Sequence, residues 1–453
     1  MADTVHRKYE SRSMRHSSAA ILATALAMLM AAPVRAATAI STEAFLGRYF
    51  GVNLHLSNCC GGRYEDTERV IADIRYIGAR RLRDWATARR GVFERWQQVA
   101  RETSTGFSAS IPSSSPKDQR IALGVIRQWL AEAPGLITTI EGGNEPDMPY
   151  AVALGATLED TAKLQHEVYA AGKGAGVLVA QMSVGFGWKP PLYEGNYKSF
   201  GKPPADLGNA HVYLQHHMTP SALLSRAGEL AAYSVNGKPI SVTEFGAFKT
   251  LRLPTTTINA FMHIAPFAAA VLKQDSLYVY ALYDDLSGVS GFFNEDGKPR
   301  DFAHYWHHTA QLLSDTAGKE LPARDVPVTF SSDQLPKSAA KRANHLVMHK
   351  SDKSVWAAVF FEHLTTAANH EEVITFSEVQ PHITIIDARD ARILARHTKL
   401  RAVTLSLPPN QLLFVVASRT QYAEQSDQPK NDERRSDKKK IENQFGVGAG
   451  EGQ

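Results

Sequence analysis

The feature that most restricts the fold of this chain is a rhythm. Between residues 45 and 317, eight short runs rich in β-branched, aromatic and small residues alternate with amphipathic stretches. The runs are Phe50–Leu56, Arg81–Trp85, Gly106–Ile111, Leu136–Gly142, Val177–Val184, Asn209–Leu214, Ile240–Phe245 and Leu277–Leu282. Between them, ERVIADIRYIGA, IALGVIRQWLAEA, LEDTAKLQHEVYAAGKGAG and PSALLSRAGELAAYS place apolar residues at three- and four-residue spacing. That is the period of a helix with one buried face. Several end at glycine, which readily takes the left-handed turn just past a helix. Parallel strands need long crossovers, usually helical, so repeated strand–helix units predict a parallel sheet. Eight units predict an α/β fold closed as a (β/α)8 barrel over residues 37–317.

After Asp315 the rhythm changes. NHLVMHKS, SVWAAVFFE, EEVITFS, HITIIDA, AVTLSL and LLFVVAS are short strand-like runs with no helical pattern between them. They predict an antiparallel β-sandwich over residues 318–419. Residues 420–453 have few apolar side chains and mixed charge. Such a segment cannot bury enough surface to offset its ordering entropy, so a disordered tail is expected. At the other end, Ala19–Val34 follows Arg7, Lys8, Arg12 and Arg15 and precedes a small-residue site at Val34-Arg35-Ala36. At about 16 residues it is shorter than the roughly 20 that span a bilayer. Its layout is that of a secretory signal over residues 1–36, with Met14 as an alternative start. The expected product is an exported protein, periplasmic or secreted, with no stable membrane insertion after cleavage.

Composition removes several classes. Fifty Lys and Arg against 46 Asp and Glu leave a net charge of +4, too small to imply a nucleic-acid partner. Two cysteines make neither a disulfide framework nor a four-thiolate zinc site. Gly172-Lys173-Gly174-Ala175-Gly176 follows a helix and precedes a strand, the reverse of a phosphate-binding loop. His216-His217 and His307-His308 are adjacent pairs whose side chains point apart, and His-Glu-x-x-His does not occur. No cofactor and no metal are therefore expected.

In a barrel of this kind, chemistry sits where strands end and the following loops begin. Two runs end in glutamate: LITTIEGGNEPD carries Glu145 and ISVTEFG carries Glu244, on the fourth and seventh strands. Two carboxyls facing one another across the mouth are what glycoside hydrolysis needs. One protonates the leaving oxygen and the other stabilises or attacks the oxocarbenium-like centre.

Asn144-Glu145-Pro146 after strand four, taken with Thr243-Glu244-Phe245-Gly246 after strand seven, resembles the clan A retaining glycoside hydrolases. The resemblance implies that Glu145 is the general acid/base and Glu244 the nucleophile. It also implies that Asn144 binds the sugar 2-hydroxyl and that Arg83 keeps the nucleophile ionised. His211 and Tyr213 would lie near that nucleophile, and His55 would face the sugar subsite. The chain departs from the pattern on strand eight, where the clan's tryptophan platform is missing and Tyr280 or Tyr283 is the candidate stacking aromatic. The expected partner is a poly- or oligosaccharide, bound by a monomer. Two other readings are a transglycosylase on the same barrel and a non-catalytic carbohydrate-binding surface protein.

Cys59-Cys60 falls in the loop after strand one, beside the expected cleft. Thiols of exported proteins tend to oxidise, and adjacent cysteines can close a vicinal disulfide ring that would give a sugar a rigid apolar contact. Thiol titration of the denatured, unreduced protein should then find no free thiol. Two per chain would refute the ring.

Overall fold

A computed structural model describes residues 36–57, 62–89, 91–185, 192–199, 201–235, 237–285, 288–335, 343–365 and 368–422. The amino-terminal apolar run, Cys59-Cys60 and the tail beyond residue 422 lie outside these residues. The chain enters through β1 (Ala36–Ser41) and α1 (Thr42–Tyr49), then lays down β2 (Gly51–Asn53) and α2 (Thr67–Ile77). Next come β3 (Arg81–Trp85), α3 (Val92–Thr103), β4 (Phe107–Ile111), α4 (Pro116–Glu132) and β5 (Ile137–Gly143). They are followed by α5 (Pro149–Ala153), α6 (Leu158–Ala175), β6 (Leu178–Ala180), α7 (Leu192–Ser199), β7 (Gly208–Tyr213) and α8 (Pro220–Ala231). β8 (Ile240–Gly246), α9 (Thr255–Val271), β9 (Ser276–Val279) and α10 (Asp301–Leu313) complete the repeat.

Strands β2 to β9 form one parallel sheet in the order β6-β5-β4-β3-β2-β9-β8-β7. Its two outer strands meet at a bridge between Ala180 and Leu207, which nearly closes the barrel. The helices start and stop where local chemistry directs. The Asp66 carboxylate accepts the Arg69 N–H at 3.0 Å and caps α2, satisfying a backbone donor that a helix start leaves open. Gly78 ends the same helix at φ +69°. A Cβ there would lie 2.2 Å from that of Ala310, so only glycine both takes the turn and lets α10 approach.

Several predicted strands run longer than the ladders. Val177–Val184 shortens to β6, yet Met182 and Val184 beyond it are fully buried. Met182 and Val184 stay in the apolar core past the last paired residue, so composition overshoots the strand end.

The carboxy-terminal unit comprises β10 (Arg324–Phe330), β11 (Asn344–His349), β12 (Val355–Phe360), β13 (His370–Asp387), β14 (Ile393–Leu407) and β15 (Leu412–Ser418). These strands make a sheet in the order β10-β1-β11-β12-β15-β13-β14, antiparallel except for β1 with β11. A further pairing of β10 with the first half of β13 curls the sheet around its own apolar core of Val328, Ile374, Ile383, Val403 and Val415. β1 belongs to this sheet, pairing with β10 and β11, although its place in the sequence put it at the start of the barrel segment.

The opposite face of the sheet turns inward to the barrel. Met348, Trp356, Phe360, Phe414 and Val416 join the barrel's core through α9, whose Phe267 ring lies 5.8 Å from that of Phe414. Helix α9 is buried along most of its length, as a helix apolar on every side must be. Among the described residues, no helix is long and apolar enough to cross a membrane.

Glu362 ties the two units together, accepting the Ser221 N–H at 3.0 Å and the Asn344 amide at 3.2 Å. Burial nevertheless pushes its carboxyl up to about 7. An unfolded glutamate releases its proton near pH ~4.3, so across the interval up to about 7 the native state retains a proton that the unfolded state has lost. This contribution to stability therefore falls as pH rises, by up to about 1.4 kcal/mol per unit, and levels off above the native pKa. Glu362→Gln should gain stability relative to the parent between pH ~4.5 and ~7, read as urea midpoints across that range. A difference independent of pH would refute the assignment.

Candidate active site

Arg83, on β3, points into the barrel with only 2% of its surface exposed. A buried guanidinium must be matched by acceptors, because its uncompensated desolvation costs several kcal/mol. Here its Nε meets both oxygens of Glu141, at 3.0 and 2.9 Å. Its Nη1 donates to Asn53 Oδ1 at 2.7 Å and to Glu244 Oε1 at 2.7 Å. Its Nη2 donates to Asn144 Oδ1 at 2.8 Å. Burial works against the cation, but Glu141 and Glu244 hold it above the ordinary arginine range.

Glu244 lies inside β8, and its second oxygen accepts the Tyr213 hydroxyl at 2.6 Å. Gly246, two residues on, leaves room for this arrangement. A Cβ there would come within 2.8 Å of the Tyr213 ring.

Glu145 sits just beyond β5, in the turn that follows, with φ +42°. A left-handed backbone at a residue other than glycine costs of order 1–3 kcal/mol and persists only where its surroundings hold it. Three bonds supply that hold: Asn144 N–H to Ile111 O at 2.9 Å, Met148 N–H to Glu145 O at 3.1 Å and Glu145 N–H to Ser183 Oγ at 3.1 Å. The carboxylate is gripped on both oxygens. His211 Nδ1 lies 2.7 Å from Oε1, and the Tyr150 hydroxyl donates to Oε2 at 3.0 Å. The same His211 nitrogen is 3.4 Å from Glu244 Oε2.

One oxygen from each carboxyl and the His211 nitrogen all lie within 4.8 Å of one another. Two carboxylates and an imidazole are also a possible cation-binding set. In this arrangement, however, the donor atoms are bound to each other and the Arg83 cation already lies 2.7 Å from Glu244.

The two carboxyls titrate as a linked pair. For Glu145, burial lifts the pKa, but the bonds from His211 and Tyr150 outweigh it and the net direction is down. For Glu244, burial lifts it and the neighbouring charge of Glu145 adds to the lift. His211, Arg83 and Tyr213 oppose that lift, and the net direction is up.

Of the residues singled out in the sequence, Arg83, Asn144, Glu145, His211, Tyr213 and Glu244 form one continuous network. His55 follows β2, is fully buried, and among the described residues has no hydrogen-bond partner on either ring nitrogen. The rings of Tyr280, Trp85 and Tyr64 surround it at 5.3, 5.6 and 5.7 Å. Burial pushes its pKa down to about 4, so the imidazole is neutral at ordinary pH.

The two strand-eight tyrosines separate. Tyr280 lies 6.2 Å from the Tyr213 ring, whereas the Tyr283 hydroxyl donates to Asp73 on α2 at 2.8 Å. Tyr283 therefore serves the packing of the barrel wall and leaves the site. Asp84, next to Arg83 in the sequence, accepts backbone N–H groups from Leu56 and Trp85.

Sequence reasoning missed Asn53, Glu141 and Tyr150. Glu141 carried a usable signal: a charged residue inside an otherwise apolar strand of a barrel requires a buried partner. Tyr150 carried none.

No family model matches the sequence, and no curated protein is similar to it in sequence. Among solved structures, the chain is similar to a glucosidase from Croceicoccus marinus, with 11% identity, a TM-score of 0.56, and 86% of this chain and 99% of that one covered. It is likewise similar to a β-xylosidase of glycoside hydrolase family 39 from Caulobacter crescentus, with 12% identity, a TM-score of 0.54, and 85% and 98% covered. At such low identity the likeness establishes a shared fold: a (β/α)8 barrel carrying a carboxy-terminal, largely antiparallel sheet.

Proposed function

We propose that this protein is a retaining glycoside hydrolase that cleaves O-glycosidic bonds of a poly- or oligosaccharide by double displacement. The observation that carries the reading is the placement of Glu145 and Glu244 at the ends of β5 and β8, with ligand-capable oxygens within 4.8 Å. Retaining enzymes hold their two carboxyls about 5–5.5 Å apart, whereas inverting enzymes separate them by roughly 6.5–9.5 Å to admit a water. The shared fold with a glucosidase and a β-xylosidase supports the same reading.

In this mechanism Glu244 attacks the anomeric carbon while Glu145 gives its proton to the departing oxygen, whose bond to that carbon breaks. Glu145, now ionised, takes a proton from water as the water oxygen attacks the same carbon and releases Glu244. Arg83 and Tyr213 fix the two oxygens of Glu244 and favour its ionised form. Double displacement requires the proton to start on Glu145. Asn144 gives one amide hydrogen to Ser113 Oγ at 3.1 Å, leaving its other hydrogen for a sugar hydroxyl. Neutral His55 offers one donor and one acceptor, and Tyr280 stands beside it as the aromatic wall. The reading extends to an exported enzyme, because cleavage before Ala37 preserves the β1 pairings from Ala37 with Val326 onward.

A panel of 4-nitrophenyl glycosides tests the proposal, with the first-formed anomer of the preferred substrate read by proton NMR. Retention is expected, and net inversion would overturn double displacement. Glu244→Gln should abolish turnover with the fold intact, so turnover surviving in that variant would falsify the nucleophile. Glu145→Ala should slow substrates with poor leaving groups by about 10²–10⁴-fold. Added azide should restore turnover of activated substrates, and a folded variant that azide fails to rescue would count against the acid/base.

A further inference from the structure

One side chain, Tyr150, touches Glu145 from the solvent side. Oε1 of Glu145 is turned inward to buried His211, so Oε2 is the outward oxygen, and it accepts the Tyr150 hydroxyl at 3.0 Å. Tyr150 stands on the short helix α5, directly after the turn that holds Glu145, and is 48% exposed. The same segment exposes Val152 and Leu154 by 55% and 56%, while Ala151, between Tyr150 and Val152, is buried and anchors it. Tyr150, which touches the oxygen that would protonate a leaving group, and Leu154, four residues on, share one side of this segment, while Val152 points to another.

We propose that Tyr150 forms the leaving-group side of the site. Its hydroxyl holds the position that the glycosidic oxygen takes on binding, and its ring, with Leu154 one helical turn on, gives an apolar-faced leaving group a surface to lie against. The inference rests on the glycosidase reading above.

The exchange has a direct chemical consequence. The Tyr150 hydroxyl is a donor, and a donor on Oε2 favours the carboxylate form of Glu145. A glycosidic oxygen is an acceptor, so in the same position it favours the protonated form, whose proton it then receives as the C–O bond breaks. Replacing one by the other favours the protonated form of Glu145, the form with which double displacement starts. The other ionisable groups facing Glu145 remain in place: His211 and Tyr213 on β7, Glu244 on β8, Arg83 on β3, Tyr197 on α7 and Asp147 on its own turn. Tyr150 acts through Glu145 and is therefore a positioning residue.

Protein labelled with ¹³C at glutamate carboxyls gives a test that needs no substrate. The Glu145 signal is the one lost in Glu145→Gln. In Tyr150→Phe, which keeps the ring and removes the hydroxyl, its titration midpoint should rise by about 0.5–1 pH unit, an exposed-site fraction of one charged hydrogen bond. An unmoved midpoint overturns the positioning role. The apolar ledge is tested with Leu154→Ser, at an exposed position. KM for the best 4-nitrophenyl glycoside should rise several-fold more than KM for the methyl glycoside of the same sugar. Equal effects on both would overturn the ledge. If the parent protein turns over no glycoside at all, the glycosidase reading fails and takes the leaving-group role with it, while the carboxyl titration still decides whether Tyr150 controls Glu145.

Discussion

The floor of the cleft depends on one buried cation. Arg83 reaches acceptors from β2, β4, β5 and β8 at once: Asn53, Ser110, Glu141, Asn144 and Glu244. A planar guanidinium presents its donors in a fixed fork, so it fixes angles as well as distances. Once desolvated, it cannot exchange these partners for water. The position of Glu244 relative to Asn144 is consequently set from inside the barrel, and the loops above need not determine it.

The two glutamates differ because their backbones differ. Glu244 lies within a strand, its neighbours in the ladder, and is locked by Arg83 and Tyr213. Glu145 lies beyond its strand on a left-handed turn and is held by His211 on one side and half-exposed Tyr150 on the other. The inner group has protein partners on both oxygens, whereas the outer one has a partner that incoming ligand can displace. His211 spans both, at 2.7 Å from one and 3.4 Å from the other, which is why neither carboxyl titrates on its own terms.

The second unit supports this arrangement from a distance. Its inward sheet face shares a core with the barrel through α9, and β1 stitches the start of the chain into that sheet before the barrel begins. The barrel is therefore anchored at both of its chain ends.

Much of this was legible in the sequence, for definite reasons. Period-two and period-3.6 patterns report which face of an element is buried, so eight alternations sufficed for the barrel and a loss of helical period for the sheet. Strand ends report where loops begin, so Glu145 and Glu244 could be placed on the same rim, and the resemblance implied Arg83 and His211 beside them. Pattern does not report who faces whom. Glu141 and Asn53 become partners of Arg83 only when closure brings β2, β3 and β5 around one point. Tyr283 is turned away from the cleft by an aspartate on α2, and β1 finds its partners nearly three hundred residues along the chain. Tyr150 looked like any exposed aromatic after a proline. Local sequence determined the elements and their buried faces because those depend on near neighbours. The tertiary structure decided the partners of every buried charge, because burial removes water as an alternative and the match must then come from wherever the fold supplies it.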